Sequence, residues 1–354
     1  MLKRGVLLFL VITVVGFNSC ESDFSLNGDY QIQPVVFGLL DHRQDVHMIK
    51  ITKAFLGDGD NLTYAQNPDS NYFEKVEAEI VEFKNDVATG RSWTLTDTIV
   101  TNKSEDGLFY APEQKAYVFY ESALDSTAEY ELTVIINDGA HVVTGKTTLI
   151  PEFKITGTVT NPSYKIQFAP NTVNEDADYD NWTFTVSEGL HAARYNYKYT
   201  FRWTETYSDM STASFSATRN NGDVFQSSPD KPGQHGASFA GLDFYQFVAD
   251  AIVQDPDVIQ RKMDGLDLQI AIAHDDLNQF MEVSQPVTGI AQVQPEFTNL
   301  TGGRGLFSSR IIFKMNNFNL NPASVKELCT GLYTGGLLFC SDYPEHASET
   351  WYCP

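Results

Sequence analysis

Basic side chains are scarce in this sequence: 24 Lys and Arg stand against 46 Asp and Glu in 354 residues, a formal net charge of −22. No Lys/Arg cluster breaks the acidic excess. That excludes a nucleic-acid-binding surface, because neutralising phosphates requires such a cluster. Long apolar runs are missing too. The longest, Val6 to Val15, has ten residues, half of the roughly twenty that a membrane-spanning helix needs. Signatures of catalysis are equally thin. There is no H-E-x-x-H or Walker loop, Gly302-Gly303-Arg304-Gly305 is not placed as a dinucleotide fingerprint, and the seven histidines are scattered. Gly236-Ala237-Ser238-Phe239-Ala240 resembles a nucleophile elbow, but Ala240 holds the place of the second glycine. These absences predict a protein that is not an enzyme. A hydrolase using an unidentified carboxylate pair is the alternative that 46 acids leave open. What is present is a globular composition, 42% apolar and 20% charged, in a chain long enough for two domains.

The first nineteen residues state an address. Lys3 and Arg4 precede the short apolar stretch, and Phe17-Asn18-Ser19 leads into Cys20, which is the pattern of a bacterial lipoprotein signal peptide. Ser19 fits that pattern, and Phe17 departs from the usual leucine. The expectation is that residues 1–19 are removed, that Cys20 is acylated, and that residues 20–29 form a tether. Two or three acyl chains anchor a protein firmly where one does not. Loss of Lys3 and Arg4 takes the net charge from −22 to −24, which favours a body held away from anionic headgroups. The other three cysteines, Cys329, Cys340 and Cys353, fall in the last 26 residues. An oxidising compartment predicts a disulfide between two of the three, and the spacing does not choose which. Zinc is disfavoured, because no C-x-x-C pair is present and only His346 is near.

Strand-like alternation dominates the rest, so the fold class is mainly β. Seven short segments between Tyr30 and Ile150 have the count and spacing of an immunoglobulin-like β-sandwich. They include Tyr130–Ile136, where Leu132, Val134 and Ile136 share one face. Residues 151–354 read as a β-rich second domain with one or two short helices. One helix is capped by Asp243 and ended by Pro256; the other covers Asp275–Glu282. Residues 205–240, rich in Ser, Thr, Asn and Gly, read as a polar insertion in loop form.

Two local features are candidate sites. Tyr195, Tyr197, Tyr199, Phe201 and Trp203 share one strand face, which forms either an aromatic ligand platform or the inside of a sandwich. Asp176, Asp178 and Asp180 have the D-x-D-x-D spacing of a calcium loop, but Asn181 stands where such a loop needs glycine. Asp58-Gly59-Asp60-Asn61 is a weaker cluster of the same kind. Calcium is thus the one cofactor these clusters suggest, and the overall expectation is none.

Thr298-Asn299-Leu300-Thr301-Gly302-Gly303-Arg304-Gly305-Leu306-Phe307 resembles the late glycine signature of the domain of unknown function 4249 family, a group of Bacteroidota lipoproteins. Val35–Leu40, Ile49–Gly57, Gly107–Pro112 and Asp276–Phe280 resemble its other segments in the same order. The likeness covers roughly residues 20 to 340, and the acidic Glu21-Ser22-Asp23 resembles the surface-export signal of such lipoproteins. The resemblance implies an outer-membrane protein, lipid-anchored and facing the exterior, and it carries over no catalytic residue. Genes of the family often sit beside TonB-dependent receptors, which implies a binding or accessory role in nutrient uptake. A structural or adhesive surface module is the alternative. Independently of any family, Gly302, Gly303 and Gly305 allow a tight turn into the strand from Leu306.

Overall fold

The computed structural model describes residues 32–54, 61–101, 110, 113–285 and 296–353. The signal segment, Cys20, the tether, Asp58–Asp60 and most of Gly107–Pro112 lie outside the described residues.

The first half folds as an immunoglobulin-like sandwich. Its strands are β1 (Gln33–Leu40), β2 (Val46–Ala54), β3 (Val76–Lys84), β4 (Val87–Thr94), β5 (Thr96–Val100), β6 (Gln114–Tyr120), β7 (Glu129–Ile136) and β8 (His141–Thr148). Two single-turn helices, α1 (Asn61–Ala65) and α2 (Pro68–Asn71), precede β3. One layer has the order β1-β2-β6-β5 and the other β8-β7-β3-β4, the A-B-E-D and G-F-C-C′ arrangement of that fold. Alternation sets the core: Tyr130, Leu132, Val134 and Ile136 of β7 point inward against Val36, Leu40 and Ile49. Tyr130 opens β7, and its hydroxyl lies 3.1 Å from the Asp125 carbonyl and 3.0 Å from Glu82 Oε2. A tyrosine reaching back to upstream backbone is a hallmark of this sandwich. Glu82 is buried, and Arg91 Nη1 (2.9 Å) and Thr89 Oγ1 (2.8 Å) also donate to it, so its charge is compensated.

The second half comprises β9 (Lys154–Thr156), β10 (Lys165–Ile166), β11 (Asn181–Ser187), β12 (Ala192–Tyr207), β13 (Thr212–Phe225), β14 (Gln234–Ala240) and α3 (Gly241–Ala251). There follow β15 (Val258–His274), α4 (Asp275–Val283), β16 (Leu300–Thr301), β17 (Arg304–Leu320), α5 (Pro322–Thr330) and β18 (Phe339–Cys340). The small sheet β14-β11-β9 and helices α3 and α5 close an aromatic core over the long strands β12 and β15.

Three expectations need correction. Residues 205–240 are not a polar loop: they complete β12, turn at 208–211, and form β13 and β14. β13 is an edge strand exposed on both faces over most of its length, so no apolar alternation marks it. Asp243 does not cap α3. Ala240 holds that position without a side-chain bond, and Asp243 sits in the first turn, where its charge favours the positive end of the helix. The helix also ends at Ala251, short of Pro256. A third helix in this half, α5, goes beyond the one or two that the sequence predicts. Asn321 accepts the Ser324 N–H at 2.9 Å and Pro322 follows it, a start signal legible in the sequence.

The boundary near residue 150 separates two cores but not two sheets. β17 pairs in parallel with β1 over Arg304–Ser309, then antiparallel with β15 over Arg310–Phe318. One ten-stranded sheet therefore runs through both halves. Where β1 ends, Asp41 Oδ2 takes over and accepts the Ile312 N–H at 3.1 Å. The glycine-rich segment makes the crossing: Leu300–Thr301 pairs with β8 in one layer, and from Arg304 the chain pairs with β1 in the other. Gly302 and Gly305 have φ of +78° and +110°, and a Cβ would overlap the carbonyl oxygens of Val142 and Val36 respectively. Asn299 clasps the crossing, accepting the Phe307 N–H at 3.0 Å and donating to its carbonyl at 2.7 Å.

Candidate functional site

The aromatic ladder is core and not a platform. Tyr195, Tyr197, Tyr199, Phe201 and Trp203 are all buried, facing Phe184, Phe239 and Phe244. Strand alternation makes the ladder one-sided, and the small sheet and α3 cover that side. Burial pushes the Tyr195 hydroxyl up to about 12. The three calcium-loop aspartates are not brought together either. Asp178 accepts backbone N–H groups of Asn174 and Glu175, Asp176 the Tyr333 hydroxyl, and Asp180 the Gln167 amide. Among the described residues no group of three His, Cys, Asp or Glu is arranged to hold a metal ion. Ser238 faces outward on β14 while His235 and Phe239 face inward, so the elbow-like segment has no base beside its serine.

Cys340 and Cys353 form the disulfide, and Cys329 is free and buried on α5. Burial raises the Cys329 thiol to about 12, which makes it unreactive.

Two buried polar systems escaped the sequence reading. Glu188 Oε1 lies 3.0 Å from His235 Nδ1, and His235 Nε2 lies 2.6 Å from the Tyr197 hydroxyl. Arg261, fully buried, donates to Glu205 at 2.7 Å, to the Leu337 carbonyl at 2.8 Å and to the Val253 carbonyl at 3.3 Å. Both are internally satisfied, and both tie strands to loops. No local pattern announces them, because their bonded pairs, Arg261 with Val253 aside, lie 38 to 76 residues apart in the chain.

A surface feature that could hold a ligand is a groove of about 740 Å³ on the outer face of β2, β1 and β17. Phe37, Leu39, Met48 and Ile312 form its floor, and Leu277 and Phe280 of α4 its wall. Phe280 meets Phe37 edge-on at 5.4 Å. Phe37 and Met48 remain 37% and 45% exposed, large apolar side chains left at the surface beside one another. Lys50, Arg310 and Lys314 supply cations. The lining has one carboxylate, Asp41, and it is already engaged: Oδ1 accepts the Arg43 N–H at 3.0 Å and Oδ2 the Ile312 N–H. His47 turns away, stacking on Phe119 with its Nε2 3.0 Å from the Glu121 carbonyl.

The wall helix is fixed at its start. His274 Nδ1 accepts the Asp276 N–H at 3.2 Å, and Nε2 lies 3.1 Å from Thr148 Oγ1 at the end of β8. The cap needs a lone pair on Nδ1, so the proton sits on Nε2. Burial, the largest influence, holds the His274 pKa below its ordinary value, against the pull of Asp276. Asn299 Nδ2 also donates to Asp276 at 3.0 Å. Ser308 Oγ and Asn278 Oδ1 are buried without a hydrogen-bond partner among the described residues. By alternation Ser308 lies on the groove face, between Leu306 and Arg310. Among the described residues the groove thus offers an apolar floor, positive charge and no paired nucleophile and base. That is equipment for binding.

No protein-family model matches the chain, and no curated protein matches it. Among solved structures it is similar to the C-terminal globular domain of oligosaccharyltransferase from Pyrococcus abyssi, at 11% identity and a TM-score of 0.22. The match covers 67% of this chain and 45% of that one, so the chain spans under half of its length.

Proposed function

We propose that this is a lipid-anchored outer-membrane protein, acylated at Cys20 and facing the cell exterior, that binds a ligand in the β1–β2–β17 groove and catalyses nothing. It would work beside a TonB-dependent receptor in nutrient uptake, as the resemblance to the domain of unknown function 4249 family suggests. The observation that carries the binding role is the exposed Phe37 and Met48 floor next to Arg310 and Lys314, on a chain of net charge −22. Like-charge repulsion elsewhere makes that positive margin the favoured approach for an anionic partner.

Expression in a bacterium with the lipoprotein pathway tests the anchor. Mass spectrometry should find the mature chain starting at an acylated Cys20, and Cys20→Ala should shift the protein from the membrane to the soluble fraction. An unmodified Cys20 in a soluble chain would defeat the anchored reading. Co-purification with a TonB-dependent receptor from the native membrane is the expected partner result. Loss of cell attachment on deletion, with nutrient uptake normal, would favour the adhesive alternative.

A further inference from the structure

We infer that the groove takes a short, extended acidic segment of polypeptide, with two carboxylates four residues apart and an apolar side chain midway. This rests on the groove being the binding site. The argument starts from the strand period. Arg310, Ile312 and Lys314 lie at alternate positions of β17 and line the same groove. Two strand residues advance about 6.8 Å, so the two cations stand about 14 Å apart along β17 with Ile312 between them. An extended ligand chain has the same repeat. Its acids at the first and fifth positions meet Arg310 and Lys314 while the third side chain rests on Ile312, with Leu39 and Met48 beyond.

Charge complementarity selects the occupant. Arg310 and Lys314 are both exposed. Among the described residues neither makes an ion pair or a side-chain hydrogen bond, whereas other cations of the sheet, such as Arg194 and Arg202, pair with Asp223 and Asp267. Three cations and one engaged carboxylate in the lining invert a whole-chain ratio of 24 to 46. A simple fatty acid has one charged head and would leave one of two separated cations unmatched.

The test uses fluorescence anisotropy of labelled, end-blocked Asp-Thr-Leu-Thr-Asp on the folded protein, beside Asn-Thr-Leu-Thr-Asn, Lys-Thr-Leu-Thr-Lys and dodecanoate. The acidic peptide should bind at low salt and weaken severalfold by 0.5 M salt, as exposed charges are screened. Arg310→Glu with Lys314→Glu, two exposed changes that disturb no internal bond, should weaken it at least tenfold and confer binding of the Lys peptide. Equal binding of the acidic peptide to wild type and double variant would overturn the inference. Equal binding of the Asn and Asp peptides would do so too. Should only dodecanoate or the Asn peptide bind, and Met48→Ser abolish it, the groove stands as a site and the acidic-peptide assignment falls. Should none of the four probes bind, both fall.

Discussion

Substituting Glu205 by Leu isolates a buried charge, and its cost can be worked from the contacts. Arg261 is 0% exposed and Glu205 6%. Among the described residues Glu205 is the one carboxylate paired with that guanidinium, and it also accepts the Trp203 indole N–H and the Tyr207 hydroxyl, each at 3.2 Å. Removing it leaves a desolvated cation held only by the Leu337 and Val253 carbonyls. Breaking a buried pair from one side costs about 3–5 kcal/mol. A unit of 150–250 residues loses about 2–4 °C of Tm per kcal/mol, so the drop should be roughly 6–20 °C. Arg261→Met alone should cost a similar amount. The double variant Glu205→Leu with Arg261→Met leaves neither charge behind and should recover most of the loss, to within about 2 kcal/mol of wild type. Urea unfolding followed by near-ultraviolet circular dichroism, which the aromatic core dominates, reads all four proteins. The reasoning is refuted if the Glu205 variant loses under about 1 kcal/mol, or if the double variant is no more stable than the weaker single.

Gly305→Ala should destabilise through strain at φ +110° and overlap with the Val36 carbonyl, with about 1–3 kcal/mol from the backbone alone; a Tm unchanged from wild type would contradict the crossing geometry. His274 has a folded pKa below its unfolded value, so the unfolded chain takes up the proton more readily. Its stabilising contribution is therefore full above about pH 6.5 and lost as pH falls below it. Between pH 7.5 and 5.5 the wild-type Tm should fall more than that of His274→Asn, which can still cap but does not titrate; parallel slopes would remove His274 as the cause. The half-buried His42 shifts in the same direction in both proteins and cancels. Reducing Cys340–Cys353, 13 residues apart, should cost about 3 kcal/mol in the chain-entropy account. Cys329 should stay unreactive toward a thiol reagent until the protein unfolds.

Legibility in the sequence followed how local each signal was. β7 could be read because Leu132, Val134 and Ile136 alternate onto a single core. The β3–β4 hairpin is marked by Asn85-Asp86, which takes positive φ at both residues, as such turns require. β13 could not be read, because an edge strand with no fully buried side chain shows no clear apolar period. The aromatic ladder was legible as a strand and illegible as to role, since core and platform share one alternation. The pairing of β1 with β17 joins residues some 270 positions apart, and the glycine segment that makes it possible announces only a turn. None of the groove residues stood out as a site. They come from residues 37–50, 277–280 and 306–314, three segments that meet only in the folded chain. One hint was present: β1 reads Val35-Val36-Phe37-Gly38-Leu39-Leu40, apolar on both faces, as a strand covered on both sides would.

The methionine methyl groups test the binding claim most directly. Labelled at the methyl carbon, the protein reports separately from Met48 in the groove floor and from Met210, exposed at the turn between β12 and β13. On titration with Asp-Thr-Leu-Thr-Asp or dodecanoate, the Met48 resonance should move saturably while Met210 stays in place. A stationary Met48, or equal movement of both, would contradict the groove as the site where this protein binds.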